Sequence, residues 1–130
     1  MATLPDNAKQ WLDGKAFASI ATLNADGSPQ LSIVWAARDG DDILMSTVRG
    51  RRKTDNLERD PRVSVMLTDP DSPYSYVEVR GSVTLEEAGA REFIDSLAKH
   101  YLGKDRYDMD TDDAVRVTVR LTPEHVTGMG

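Results

Sequence analysis

The chain contains no cysteine, which excludes a disulfide framework, a thiolate nucleophile and cysteine metal sites. Its two histidines, His100 and His125, stand far apart and show no ligand spacing, so a zinc or iron site is not expected. No apolar run approaches the roughly 18 residues of a membrane span. The start, Met1-Ala2-Thr3-Leu4-Pro5-Asp6, lacks the basic and apolar segments of a secretory leader. A cytosolic protein with no membrane partner is the expectation. Cations are outnumbered by acids, 16 to 22, for a formal net charge of −6, which argues against general nucleic-acid binding. No set of nucleophile, base and orienting group can be assembled from the titratable residues, so any chemistry is expected to belong to a cofactor.

With 130 residues, 39% apolar and 29% charged, the composition suits one domain over residues 1–130 with a single core. Pro5 to Gly14 reads as a short helix, with proline tolerated near its start and glycine at its end. Phe17–Leu23, Pro29–Ala36 and Ile43–Thr47 read as three strands joined by the tight turns Asn24-Ala25-Asp26-Gly27 and Arg38-Asp39-Gly40-Asp41-Asp42. Leu31, Ile33 and Trp35 fall on one face of the second, and Trp35 is expected in the core. A short exposed helix over 53–60 stops at Pro61. Val63, Val65 and Leu67 alternate with Arg62, Ser64 and Met66 in a fourth strand. A fifth runs from about Tyr74 to Leu85, with Gly81 marking a bend or bulge. Residues 86–102 form the one strongly amphipathic helix, ended by Gly103. Val115–Leu121 is the final long strand, and His125 to Met129 is a candidate short seventh. Six or seven antiparallel strands with short helices in so small a chain point to a closed or nearly closed barrel, mainly β with α, because closure removes sheet edges. A six-stranded barrel is filled by its own side chains, so a ligand must sit outside it, in a groove between two subunits.

The charge pattern has one anomaly. Arg49, Arg51, Arg52 and Lys53 put four cations into five residues, interrupted only by Gly50. From Arg49 to Arg62 six cations face three acids, a local excess of +3 that leaves −9 for the remainder. The stretch reads as a strand end turning into the first turn of a helix. There, backbone N–H groups, guanidinium forks and the hydroxyls of Ser46 and Thr47 converge on an oxyanion. The plainer reading is a solvated basic turn.

Other segments carry weaker signals. Asp105–Asp113 has neither the central glycine nor the final glutamate of a calcium loop and reads as solvated and mobile. Tyr74 and Tyr76 are placed to stack on a flat ligand or to pack in a core or interface. His100 reads as surface or interface, and Glu78 and Arg80 as an exposed pair.

Phe17–Leu23, Asp26–Ser32 and Arg38–Asp42, in that order, resemble the pyridoxamine 5′-phosphate oxidase-like split-barrel superfamily, the FMN-binding split-barrel fold. Ser46–Val48 with Gly50–Lys53, Asn56-Leu57 and Arg59–Val63 is similar to one branch, the flavin/deazaflavin oxidoreductases of subgroup B, which use coenzyme F420. The match in motif order spans about residues 15 to 85. The resemblance implies a homodimeric split barrel with the cofactor at the dimer interface and its phosphate toward the basic turn. By position, Arg51, Arg52 and Lys53 match the phosphate-binding segment, and Ser46, Thr47 and Val48 the strand end beside it. Gln30, Ser32 and Val34 match the strand along the ring. Tyr74 and Tyr76 match positions reaching the cofactor from the other subunit. Three functions fit: an F420-dependent reductase of a small planar enone- or quinone-like substrate, an FMN-dependent oxidase or reductase, and a non-catalytic cofactor carrier.

Overall fold

Small and branched side chains at every second position, all turned the same way, curl the strands of this chain around a common interior. The computed structural model describes residues 2–129; Met1 and Gly130, the two ends of the expected single unit, lie outside the described residues. Among the described residues the order is α1 (Asp6–Asp13), β1 (Phe17–Leu23), β2 (Pro29–Asp39), β3 (Asp42–Val48), α2 (Arg52–Arg59), β4 (Arg62–Asp69), β5 (Ser72–Glu86), α3 (Ala90–Leu102) and β6 (Arg116–Met129). The strands close an antiparallel barrel in the order β1-β2-β3-β6-β5-β4, with β4 returning to β1.

The core follows from the alternation. Ala18 and Ile20, Ile43 and Met45, Val63, Val65 and Leu67, Val77 and Val79, and Val119 and Leu121 are all buried. In a barrel of six strands these side chains themselves fill the interior, which leaves ligands to bind outside it. Ala8 and Leu12 of α1, with Leu4 just before it, join the same core. Burying each Val, Leu, Ile or Met side chain stabilises the fold by about 1.5–3 kcal/mol before conformational entropy is counted.

Several expected boundaries shift: β2 runs on to Asp39 rather than ending at Ala36, β5 opens at Ser72 rather than near Tyr74, and two further shifts have a clear cause. The segment His125–Met129 is not a seventh strand: it continues β6 past a register shift at Arg80/Gly81, where Gly81 faces Pro123 and Arg80 faces His125. Pro123 cannot donate to the ladder, and the irregularity absorbs it. Gly81 is required there, since a Cβ would fall 2.1 Å from the Thr122 carbonyl oxygen. The long helix starts at Ala90 rather than Glu86, because Glu86 is still paired with Thr118 in the sheet. Gly89, at φ 77°, then makes the left-handed turn into the helix.

The barrel is split on one side. All of β1 pairs with Pro29–Trp35 of β2, but β2 pairs with β3 only from Ala36↔Met45 to Asp39↔Asp42. Past that point β3 continues against β6, through Val48↔Arg116. Pro29–Trp35 and Ser46–Val48 are therefore facing free edges of a mouth. Helix α2 packs on β1 and β3 beside it, and α3 packs on β6, β2 and β3. Ile94, Leu97 and Ala98 make the buried face of α3, and the Tyr101 hydroxyl sits between the Ala16 and Ala36 carbonyls at 2.7 and 3.0 Å.

Candidate functional site

The basic turn sits at this mouth. As the spacing implies, β3 ends at Val48, Gly50 turns the chain at φ 93°, and α2 begins at Arg52. The turn is pinned from within. Thr54 Oγ1 donates to the Val48 carbonyl at 2.7 Å and lies 2.9 Å from Thr47 Oγ1. Asn56 Nδ2 donates to Thr22 Oγ1 and to Asn24 Oδ1, each at 3.0 Å, and Leu57 is buried. With one face of α2 so anchored, Arg51 and Lys53 are presented from a fixed backbone rather than from a loose loop.

The four cations have different fates. Arg49 is neutralised by Glu58 at 2.6 Å and Glu87 at 3.0 Å. Arg52 is exposed and faces a separate hollow with Asn24 and Arg59. Arg51 and Lys53 turn into the mouth, and neither has a carboxylate partner among the described residues. Lys53 is half-buried, its Nζ 3.3 Å from Ser32 Oγ. Burial, and then the guanidiniums of Arg51 and Arg116, hold its pKa below the usual lysine value.

Together these groups wall a hollow of about 250 Å3. Its polar lining is Ser46, Arg51, Lys53 and Arg116, and its apolar and aromatic lining includes Phe17, Ile33, Trp35, Tyr107 and Met109. Trp35 is thus not a core residue. It lies on the outer face of β2, stacked on Tyr101 at 5.2 Å and 7° between planes. A hollow lined by both cations and aromatic rings suits a planar ligand carrying an anion.

The expected site residues divide accordingly. Val34, Ser46, Arg51 and Lys53 line the hollow, and Ser32 touches it through Lys53. Val48 is half-buried next to it, paired with Arg116. Thr47 faces inward, is fully buried and spends its hydroxyl on Thr54, so the expectation of a Thr47 hydroxyl on an anion is corrected. The period-two alternation that turns Ser46 outward forces this. Gln30 accepts from Thr22 Oγ1 at 3.1 Å, within the network that anchors α2. Tyr74 is 83% exposed, and Tyr76 borders another hollow with Pro5 and Asn7, so neither reaches the mouth of its own chain.

Two residues escaped sequence reasoning. Arg116, the first residue of β6, is buried at the mouth, with Nε and Nη2 donating to Asp110 at 2.8 and 2.7 Å. Asp110, in turn, is bonded by Arg91 at 3.1 Å. The aspartate-rich segment is therefore tied down at its middle rather than solvated throughout. The signal was present: Arg116 opens an alternating strand directly after five aspartates in nine residues.

The fold and the mouth define a split-barrel protein with a cationic wall at the opening. The chain matches the family described as pyridoxamine 5′-phosphate oxidase over residues 4–130, and it belongs to that family. A solved structure named an F420 reductase is 29% identical, with a TM-score of 0.83, covering 95% of this chain and 98% of that one. A conserved hypothetical protein from Mycobacterium tuberculosis is 24% identical at a TM-score of 0.74, covering 98% of this chain and 85% of that one. A provisionally named pyridoxamine 5′-phosphate oxidase from Listeria innocua is 20% identical at a TM-score of 0.75, covering 95% and 96%. The last two carry the likeness in fold alone. No helix among the described residues is long and apolar enough to cross a membrane.

Proposed function

We propose that the chain is an F420-dependent reductase, working as a homodimer on a small planar, unsaturated or quinone-like substrate. The observation that carries this is Lys53. A half-buried ammonium flanked by two guanidiniums, with no carboxylate partner among the described residues, leaves a positive site that an anion completes. A phosphate fits the donors present: the Lys53 ammonium, the Arg51 fork and the Ser46 hydroxyl. The apolar wall of Trp35 and Ile33 suits the flat ring attached to it. When bound, the reduced deazaflavin supplies a hydride; the protein's own residues bind, orient and exclude water.

The size of the hollow supports a dimer. At about 250 Å3 it falls just under the ~300–1,000 Å3 of ordinary ligand sites. Its apolar wall runs out onto an open face: Leu31 and Ile33 on β2 are 70% and 71% exposed, and Phe17 and Met66 join them on β1 and β4. The register puts Ile33 and Met66 on either side of Ser19. Such a patch on a monomer marks an interface. A second copy seated on it covers Ile33 and Phe17, which belong to both the patch and the hollow, and brings further side chains to the ligand. In this reading Tyr74 and Tyr76 serve the partner's site.

F420 is favoured over FMN by the resemblance of the wider stretch Ser46–Val63 to the F420-using branch and by the likeness to the protein named an F420 reductase. Both cofactors carry a phosphate, so the anion site serves either. Titration of the purified protein with coenzyme F420 and with FMN, followed by their absorption and fluorescence, decides between them. Oxidation of bound reduced F420 by a panel of enones and quinones is the expected activity. Tight F420 binding without turnover of any acceptor would leave a carrier, and a tightly held yellow flavin would overturn the F420 assignment.

A further inference from the structure

The buried pair Arg116–Asp110 does little for stability on its own account. Their side chains are 5% and 9% exposed, and removing two charges from water costs about as much as their attraction returns. What the pair achieves is orientation. Asp110 takes Nε and Nη2 of Arg116 in a two-pronged grip, and the Tyr107 ring lies 4.7 Å from the guanidinium carbon. The remaining nitrogen, Nη1, lies 3.3 Å from Ser46 Oγ on the wall of the hollow. A guanidinium has more N–H groups than these partners use. The segment delivering Asp110 and Tyr107 is itself held to α3: Asp95 accepts from the Tyr107 N–H at 2.9 Å, and Arg91 reaches both Asp110 and the Tyr107 carbonyl.

We propose that Arg116 is a third donor to the ligand's anion, next to Arg51 and Lys53, and that Asp110 and Tyr107 are positioning residues that aim it. The acidic segment then has a defined task. Its aspartate sits behind the guanidinium, on the side away from Ser46, where it balances the charge without occupying the donor that faces the hollow. A lysine at 116 could not be gripped in this way, because an ammonium has no planar fork. The inference rests on the anion-site reading above, and the test separates the two.

Affinities are measured for two ligand pairs that differ by the phosphate alone: the 5′-phosphate of the ribityl deazaflavin that forms the core of coenzyme F420 against the same deazaflavin without phosphate, and FMN against riboflavin. The proteins are wild type, Lys53→Ala, Arg116→Lys, Asp110→Asn and Asp110→Glu, each checked for folding by circular dichroism. For Arg116→Lys and Asp110→Asn, the preference for the phosphate-bearing partner is expected to fall about tenfold, the size of one lost charge-assisted hydrogen bond. Affinity for the phosphate-free partner should stay within about twofold on the same reasoning, and Asp110→Glu should recover part of the preference. If Arg116→Lys and Asp110→Asn weaken both partners equally, Asp110 merely holds the segment in place and the proposal is wrong. If only Lys53→Ala lowers the preference, the anion site stands and Arg116 is no part of it. If Lys53→Ala leaves the preference intact too, the anion site itself is refuted. Should Asp110→Asn fail to fold, Arg116→Lys, which keeps charge and stem, decides alone.

Discussion

Lys53→Ala separates binding from folding in a way few substitutions can. At neutral pH the native state holds this ammonium half-buried and beside two guanidiniums, and its pKa is lowered by that burial first and by Arg51 and Arg116 next. The sign follows. Between the lowered native value and the unfolded value of about 10.4, the unfolded chain binds more protons, so stability rises with pH across that window. Below it, the native ammonium is a cost. Deleting the charge without ligand should therefore leave the melting temperature unchanged or raise it slightly, against only a long contact to Ser32 Oγ at 3.3 Å.

With ligand, the effect reverses. A charge-assisted bond to phosphate contributes about 1.5–3 kcal/mol, so the dissociation constant should rise by roughly one to two decades. Coenzyme at about 100 times the wild-type constant stabilises the native state by about 2.7 kcal/mol. At about 3–6 °C per kcal/mol for a chain of this length, the wild type should melt about 8–16 °C higher with ligand. A thirtyfold weaker variant keeps about 0.9 kcal/mol at the same concentration, or about 3–5 °C. Differential scanning fluorimetry with and without coenzyme F420 reads both quantities. Wild-type affinity should also fall as pH rises through the native Lys53 value, below 10.5, while the variant stays flat. A destabilised apo variant with an undiminished ligand shift would show that Lys53 supports the fold and does not meet the phosphate.

Charging the open apolar face, with Leu31→Glu and Ile33→Glu together, should yield monomers by sedimentation velocity and reduce cofactor affinity by at least about tenfold, because the site loses its second wall. A monomeric double variant with unchanged affinity would place the whole site within one chain. Tyr74→Ala and Tyr76→Ala should each weaken cofactor binding by about 0.5–1.5 kcal/mol if they reach the partner's ligand, measured by fluorescence titration of the folded variants. Gly81→Val, whose Cβ would meet the Thr122 carbonyl at 2.1 Å, should lower stability by about 1–3 kcal/mol or more in urea unfolding. An unaffected Gly81→Val would mean that the β5–β6 irregularity yields more easily than close packing implies.

Strand periodicity carried most of the fold. Phe17–Leu23 is legible to the residue because turn signals bracket it and every second position is apolar or small. The basic strand-to-helix turn and the Gly81 irregularity were legible for the same local reasons. Failures came where pairing across the sheet outweighs local signals. Glu86 has helix propensity but belongs to β5, since β6 offers it a partner in Thr118. Pro123 and Glu124 look like a strand break, and only the register with Gly81 shows that β6 runs through them. Trp35 reads as core by composition; it lies outside because Val34 and Ala36 take the inward positions beside Ala18.

The site shows a different limit. Four adjacent cations look equivalent in sequence, yet pairing sorts them: Glu58 and Glu87 take Arg49, solvent takes Arg52, and Arg51 and Lys53 are left over. The leftover charge is what marks the site, and it depends on which carboxylates the fold brings near. The third cation shows the same dependence in reverse. Arg116 already has a carboxylate partner in Asp110, so a search for unpaired charge alone passes it by. Its pairing leaves Nη1 turned to Ser46 and the hollow, with the aspartate behind. A paired cation at a cavity wall remains a binding group whenever its carboxylate sits on the far side. A run of aspartates that reads as a solvated loop thus supplies, through Asp110, the group that orients a cation at the wall of the hollow.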